Sequence, residues 1–321
     1  MRLLSRSLAI FPRASLTLVA AALCLLAAIP AFPWGFTAHD IINGQAITAL
    51  PEPLRTFYTR HRELVVRHSA DPDLFREFDP DEGARHYLDI DHYGKYPFEA
   101  LPLDYEQAVA QFGKEEVARY GLVPWVIGWK YDELVQAFRN RKWDRVLVTS
   151  AWLGHYVGDC HVPLHSTENY DGQQTNQRGV HQRWEVELVN RFVKAEEIHP
   201  KPAVRIKGKV HHRARRWLLE SAQLVEGVLK ADREALKDGQ FDYQKFAASQ
   251  LGTVKRRLTQ AAHRLACLWY SAWREAERPG GSGLQTGRPD GVGIEAGGNE
   301  VVDPRPVRGA GHSDGRAEPR R

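Results

Sequence analysis

The sequence predicts an all-α fold, a single multi-helix domain running from Trp34 to Glu277. Three observations carry that prediction. Apolar residues recur at three- and four-residue intervals through almost the whole span. No stretch sustains the apolar/polar alternation of a half-buried strand. Pro53 and Pro124 stand where a first helical turn accepts proline, and Pro163 stands where one should end or kink.

The elements follow in order. Residues 1–33 read as a signal peptide: arginines at positions 2, 6 and 13 precede the apolar run ASLTLVAAALCLLAAIPAF, which Pro30 breaks. That places the protein in the periplasm or outside the cell. Left uncleaved, the same run is long enough to anchor the chain in a membrane. Helices are expected over Thr37–Ala49, Pro53–His68, Asp104–Gln111, Val123–Asn140, Trp143 to about Cys160, Val180–Val193, Val210–Leu229 and Tyr243–Glu277. Segments 69–103 and 166–179 are rich in Asp, Pro, Gly and Asn and read as loops. Trp125, Trp129, Trp152, Trp269 and Trp273 lie in periodic segments and are assigned to the core. Residues 278–321, dominated by Gly, Pro and Arg without periodicity, read as a disordered tail.

Charge and cysteine content narrow the function. The leader holds three of the 44 Lys and Arg residues and none of the 40 Asp and Glu, so the remaining chain is nearly neutral. That gives no bulk electrostatic reason to expect duplex nucleic acid as a partner. The densest basic stretch, KPAVRIKGKVHHRARR at 201–216, reads as a solvated helix face. Cys160 and Cys267 remain after the leader is removed. An oxidising compartment would permit them to pair, which is one bridge and not a disulfide framework.

The chemistry concentrates elsewhere. In LGHYVGDCHVPLH (153–165), His155 and Asp159 are four apart and share a helix face, and His165 follows beyond Pro163. GVHQRWE (179–185) repeats the device with His181 and Glu185. RHSADPD supplies Asp71, ARHYLDID supplies His86 and WGFTAH supplies His39. All are nitrogen or carboxylate ligands without thiolate, the set that catalytic zinc sites use, whereas structural zinc sites favour cysteine. His161, two residues past Asp159, faces away and is assigned a structural hydrogen bond. His211, His212 and His312 fit no ligand pattern.

The ordered set Trp34, His39, Asp71, His86, His155, Asp159, His165, His181 and Glu185 resembles the trinuclear zinc site of the superfamily that joins bacterial zinc-dependent phospholipases C to fungal zinc-dependent single-strand nucleases. The resemblance implies up to three zinc ions. Asp71, His86, His155 and Asp159 would hold one; His165, His181 and Glu185 a second. Asp159 would bridge to a third, held by His39 and by the amino and carbonyl groups of Trp34. The short Trp34–His39 gap and the fifteen residues from Asp71 to His86 resemble the nucleases, whereas Glu185 and its short motif resemble the phospholipases. Tyr87 and Asp89 fall where the nucleases grip a base, although a buried aromatic and a loop carboxylate would look the same in sequence.

Such a cluster stays cationic after its carboxylates are counted, which suits a phosphodiester. Zinc lowers the pKa of bound water to about 7, supplying hydroxide at neutral pH, with Asp71 expected to orient the attacking water. The expected activity is an exported zinc-dependent phosphodiesterase with a phospholipase C-type substrate favoured, a single-strand nuclease or nucleotidase as the alternative, and a non-catalytic zinc-binding protein as a third reading. The implied partners are a phospholipid headgroup, with peripheral membrane contact, or single-stranded nucleic acid.

Overall fold

Among residues 35–277, which the computed structural model describes, helices form where the apolar periodicity runs. The chain opens with α1 (Phe36–Thr48), then α2 (Leu54–Arg60), α3 (Arg62–Arg67), a 3-10 turn (His68–Ala70) and α4 (Asp71–Phe75). After α5 (Tyr105–Phe112) and α6 (Lys114–Arg119) come the long helices α7 (Val123–Arg139) and α8 (Trp143–Asp159). A 3-10 turn (Pro163–Ser166) leads towards α9 (Val180–Gln182), which passes through a π turn (Arg183–Glu187) into α10 (Leu188–Phe192). The described chain ends with α11 (Val210–Ala222), α12 (Val225–Ala235) and α13 (Tyr243–Ala276). The leader, Trp34, the tail and His312 lie outside the described residues. No helix among those described is long and apolar enough to cross a membrane.

The all-α class holds, with local corrections. The span expected as one helix from Pro53 to His68 breaks at His61, whose N–H closes back on Tyr58 as in a 3-10 turn. Segment 69–103, read as loop, contains α4, which begins at Asp71 with Pro72 in its first turn. The Val210–Leu229 span divides at Gln223–Leu224 into α11 and α12. A two-residue antiparallel ribbon, Leu236–Lys237 with Gln240–Phe241, turns through Asp238-Gly239, both at positive φ. That dipeptide is the ordinary hairpin signal, hidden here between two helical patterns. The basic stretch 201–216 is not a uniformly solvated face: Arg215 is buried and donates from Nη2 to the Phe98 carbonyl at 2.9 Å. Cys160 and Cys267 are both free and buried; the first donates to Ala214 O and the second accepts from Val204 N.

α8 is the internal helix. From Val146 to Asp159 nearly every residue is buried, because α1, α7 and α13 all pack against it. Trp125 and Trp269 are buried, and Trp129, Trp152 and Trp273 pack partly buried against the same core. Tyr58 stacks on Trp269 with centroids 4.5 Å apart, and its hydroxyl meets Ser150 of α8 at 2.7 Å. Each fully buried large apolar side chain contributes roughly 1.5–3 kcal/mol, and this sum offsets the cost of the buried polar groups described below.

Two glycines of α8 set how closely α1 approaches. A Cβ on Gly154 would lie 1.7 Å from Asn43 Oδ1, and one on Gly158 would lie 3.1 Å from His39 Nδ1. Asn43, in α1, uses the space to donate to Val65 O at 3.2 Å and Ala151 O at 3.1 Å, joining α1, α3 and α8. Gly154→Ala should therefore cost roughly 2–3 kcal/mol by overpacking. Urea denaturation checks this, and a variant as stable as the parent would mean that α1 and α8 pack less closely than described.

Candidate metal centre

The close approach of α1 to α8 brings His39 over His155, with ring centroids 3.9 Å apart and planes 17° from parallel. His155 and Asp159, one turn apart on α8, point into the same interior space, as their four-residue spacing requires. His86 reaches that space from the end of the Gly83–Arg85 turn. Its Nδ1 lies 3.1 Å from His155 Nε2 and 2.9 Å from Asp159 Oδ2, while His155 Nε2 lies 3.3 Å from the same oxygen. A fourth ligand atom, Asp73 Oδ1, stands 3.7 Å from both nitrogens. Donor atoms about 2.0–2.1 Å from a tetrahedral ion are about 3.3–3.4 Å apart, so these separations would suit a small divalent ion.

The outer contacts fix which nitrogens face inward. His155 Nδ1 donates to the Ser69 carbonyl at 2.9 Å, His165 Nδ1 to the His86 carbonyl at 2.8 Å, and His86 Nε2 lies 3.3 Å from Glu82 Oε1. With its Nδ1 N–H committed to Ser69, His155 presents the lone pair of Nε2 to His86 Nδ1. Both Asp73 oxygens and Asp159 Oδ1 are buried without a hydrogen-bond partner. Converging buried acceptors are stable only around a cation. The pattern of metal-facing nitrogen and anchored opposite nitrogen is the one that tunes metal-ligating histidines.

Titration behaviour agrees with this. Burial pushes the Asp73 carboxyl up to about 6, against the pull of His155 and His86. Burial also opposes charge on His86, yet hydrogen bonds to Asp159 and Glu82 raise it to about 9. For Asp159, burial is overridden by His155 and His165, which hold it well below the usual carboxylate range. Glu82, despite burial, is held at about 2 by His86 and Arg85 and so stays ionised as the outer partner. A proton on His86 supplies positive charge among these carboxylates, and a metal entering there would have to displace it.

A second pocket adjoins the first. His165 Nε2 lies 3.1 Å from His181 Nε2, and Glu185 Oε2 is 2.9 Å from His181 Nε2 and 3.6 Å from His165 Nε2. His181 stands in α9 and Glu185 in the π turn, a local widening of the helix that recurs at functional sites. Asp159 lies between the groups: its Oδ1 is 3.7 Å from His39 Nε2 and 3.7 Å from His165 Nδ1, the nitrogen that donates to the His86 carbonyl. His39, His155 and Asp159 thereby form a third cation-sized group.

Of the residues singled out in the sequence, His39, His86, His155, Asp159, His165, His181 and Glu185 come together, and Trp34 lies outside the described residues. Asp71 does not join them. Its Oδ2 accepts from His68 Nδ1 at 2.6 Å and Trp152 Nε1 at 3.1 Å, so the expectation that it ligates metal and orients water is corrected to a hydrogen-bonded support. Asp73, two residues on, is the carboxylate that faces His86 and His155. The sequence ADPD offers both carboxylates, and only the direction of α4 chooses between them. Tyr87 is buried with its hydroxyl donated to Arg119 O at 2.9 Å, and Asp89 is buried too, so neither presents a free surface to a base. His161 is buried as expected, donating from Nδ1 to Val157 O and accepting from Arg264 at Nε2. Glu82 carried no sequence signal, because its role is set by where the Gly83–Arg85 turn places His86. Compared with models of known protein families and with curated proteins, the chain matches none.

Asp73→Asn should lose the ion of the first pocket, whereas Asp71→Asn should keep it, and Glu82→Gln should weaken it by about 10–100-fold. Zinc content by elemental analysis after dialysis checks the order. Loss with Asp71→Asn and retention with Asp73→Asn would reverse the assignment.

Proposed function

We propose that this chain is a zinc-dependent phosphoester hydrolase acting on phosphodiesters, with a phospholipase C-type substrate. The observation that carries the reading is the convergence of His86, His155, Asp159 and Asp73 around one cation-sized space, with the outer nitrogens of the two imidazoles turned to Glu82 and Ser69. All donors are nitrogen or oxygen, which fits catalytic zinc. Bound there, zinc would acidify its water to about neutral pH and stabilise charge on phosphoryl oxygens.

The chain's own residues supply the rest. Glu82, Ser69 O and His86 O hold three imidazoles in fixed tautomers and orientations, so that little reorganisation accompanies substrate binding. Three carboxylates, Asp73, Asp159 and Glu185, face the pockets, fewer charges than two or three divalent ions would bring. The surplus is positive, which favours an anionic diester over a neutral ester. Asp71 keeps Trp152 and His68 in place behind the first pocket and takes no part in proton transfer. A phospholipid substrate is preferred to nucleic acid because Tyr87 and Asp89, the residues that would grip a base, are buried.

Purified full-length protein loaded with zinc should hydrolyse bis(p-nitrophenyl) phosphate, lose the activity to a chelator and regain it with zinc. Phosphatidylcholine vesicles should release phosphocholine. Glu185→Gln should lower kcat by more than the roughly 10–100-fold expected for an outer-sphere change. Cleavage of single-stranded DNA without headgroup release would make the substrate nucleic acid. Full zinc occupancy with no turnover of any of the three would overturn the enzymatic reading.

A further inference from the structure

A separate group of donors assembles at the start of α11, from none of the residues in the buried pockets. Asp104, immediately before α5, projects its Oδ1 to within 2.8 Å of His211 Nε2 and 3.1 Å of His212 Nε2. Successive helical residues diverge by about 100° around the axis, so two neighbouring histidines seldom share a target. Here both belong to the first turn of α11, and helical side chains lean towards the N-terminus, where Asp104 waits. Gly128 of α7 gives His211 its room, since a Cβ there would lie 3.2 Å from His211 Cβ. Asp104, His211 and His212 are each partly exposed, so a hydrated ion can reach them without passing through the core.

We propose that Asp104, His211 and His212 form a surface site for a divalent ion of the zinc class, taken through two imidazole nitrogens and one carboxylate oxygen with water completing the shell. The donor separations of 2.8 and 3.1 Å match those in the buried pockets, and a small opening brings them to a tetrahedral edge of about 3.3 Å. The three donors come from two distant segments, so an ion here clamps the 97–104 segment to α11 beside the Arg215–Phe98 hydrogen bond. Lys209 is the built-in competitor: its ammonium lies 2.7 Å from the same Asp104 oxygen and must swing away for the ion to enter. The N-terminal end of the helix dipole also disfavours a cation. Both effects make this site weaker than a buried one, the character of a responsive site and not a permanent staple.

Lys209 provides the test that separates metal binding from a plain hydrogen-bonded clamp. Zinc is titrated calorimetrically into the full chain near pH 7.5. The parent should show a weak class of one ion per chain. The double variant His211→Ala/His212→Ala should lose that class alone, leaving any tighter classes and the far-UV spectrum unchanged. Lys209→Met should tighten it by about fivefold or more, since a competing charge about 4 Å from the ion is removed. Asp104→Asn serves as the second deletion, with melting curves recorded to confirm folding. A double variant that binds as many ions as the parent overturns the proposal, and this result is independent of whether the protein is a hydrolase.

Discussion

The interior of this helical domain contains a set of lone pairs and carboxylates that point at one another. His86 Nδ1 faces His155 Nε2 at 3.1 Å, and His165 Nε2 faces His181 Nε2 at the same distance, with Asp159, Asp73 and Glu185 among them. An ionised carboxylate taken from water into such an interior costs several kcal/mol even after relaxation. Within apolar packing this arrangement persists only if positive charge returns to it, as protons or as metal. Everything around the pockets is arranged so that the charge arrives at those atoms and no others. The N–H groups that would satisfy the imidazoles from inside are turned outward to Glu82, Ser69 and the His86 carbonyl.

Holding those atoms in place requires a rigid support, and α8 provides it. An internal helix cannot rotate without moving α1, α7 and α13 together. Gly154 and Gly158 remove side chains where α1 presses in, which sets His39 and Asn43 against the same helix that carries His155 and Asp159. Trp152, on another face of α8, donates to Asp71 and packs edge-on to Phe75, so the start of α4 is tied to α8 as well. The direction that α4 then takes leaves Asp71 behind the pocket and turns Asp73 into it.

Much of this was legible in the sequence, for physical reasons that also mark where legibility ends. The four-residue spacings His155/Asp159 and His181/Glu185 survive folding because helical geometry is local. His39, His86 and His165 could be proposed as ligands from residue type and order alone, but their convergence depends on tertiary packing. The choice between Asp71 and Asp73 turns on the entry angle of a five-residue helix, which no periodicity encodes. Tyr87 looked like a binding residue because exposure cannot be read from a short motif. Its hydroxyl is in fact used by Arg119 O. The division of α11 from α12 was masked by apolar residues that keep helical spacing across the break, and the Asp238-Gly239 turn lay in the span left unassigned between two expected helices. The pairing of His211 with His212 on Asp104 was invisible for a different reason: its carboxylate lies more than a hundred residues away.

Asp159 couples the His86–His155 group to the His39 group. Its Oδ2 belongs with His86 and His155, and its Oδ1 faces His39 and His165. An ion held by the first group would draw electron density from that carboxylate, and a second ion sharing it would be repelled. The same ion would order the Asp159 carboxylate and compete with a proton on His86, whose pKa is raised by Asp159 and Glu82. Repulsion and ordering act in opposite directions. Both effects would meet at a single buried aspartate, and its burial is what makes each of them strong.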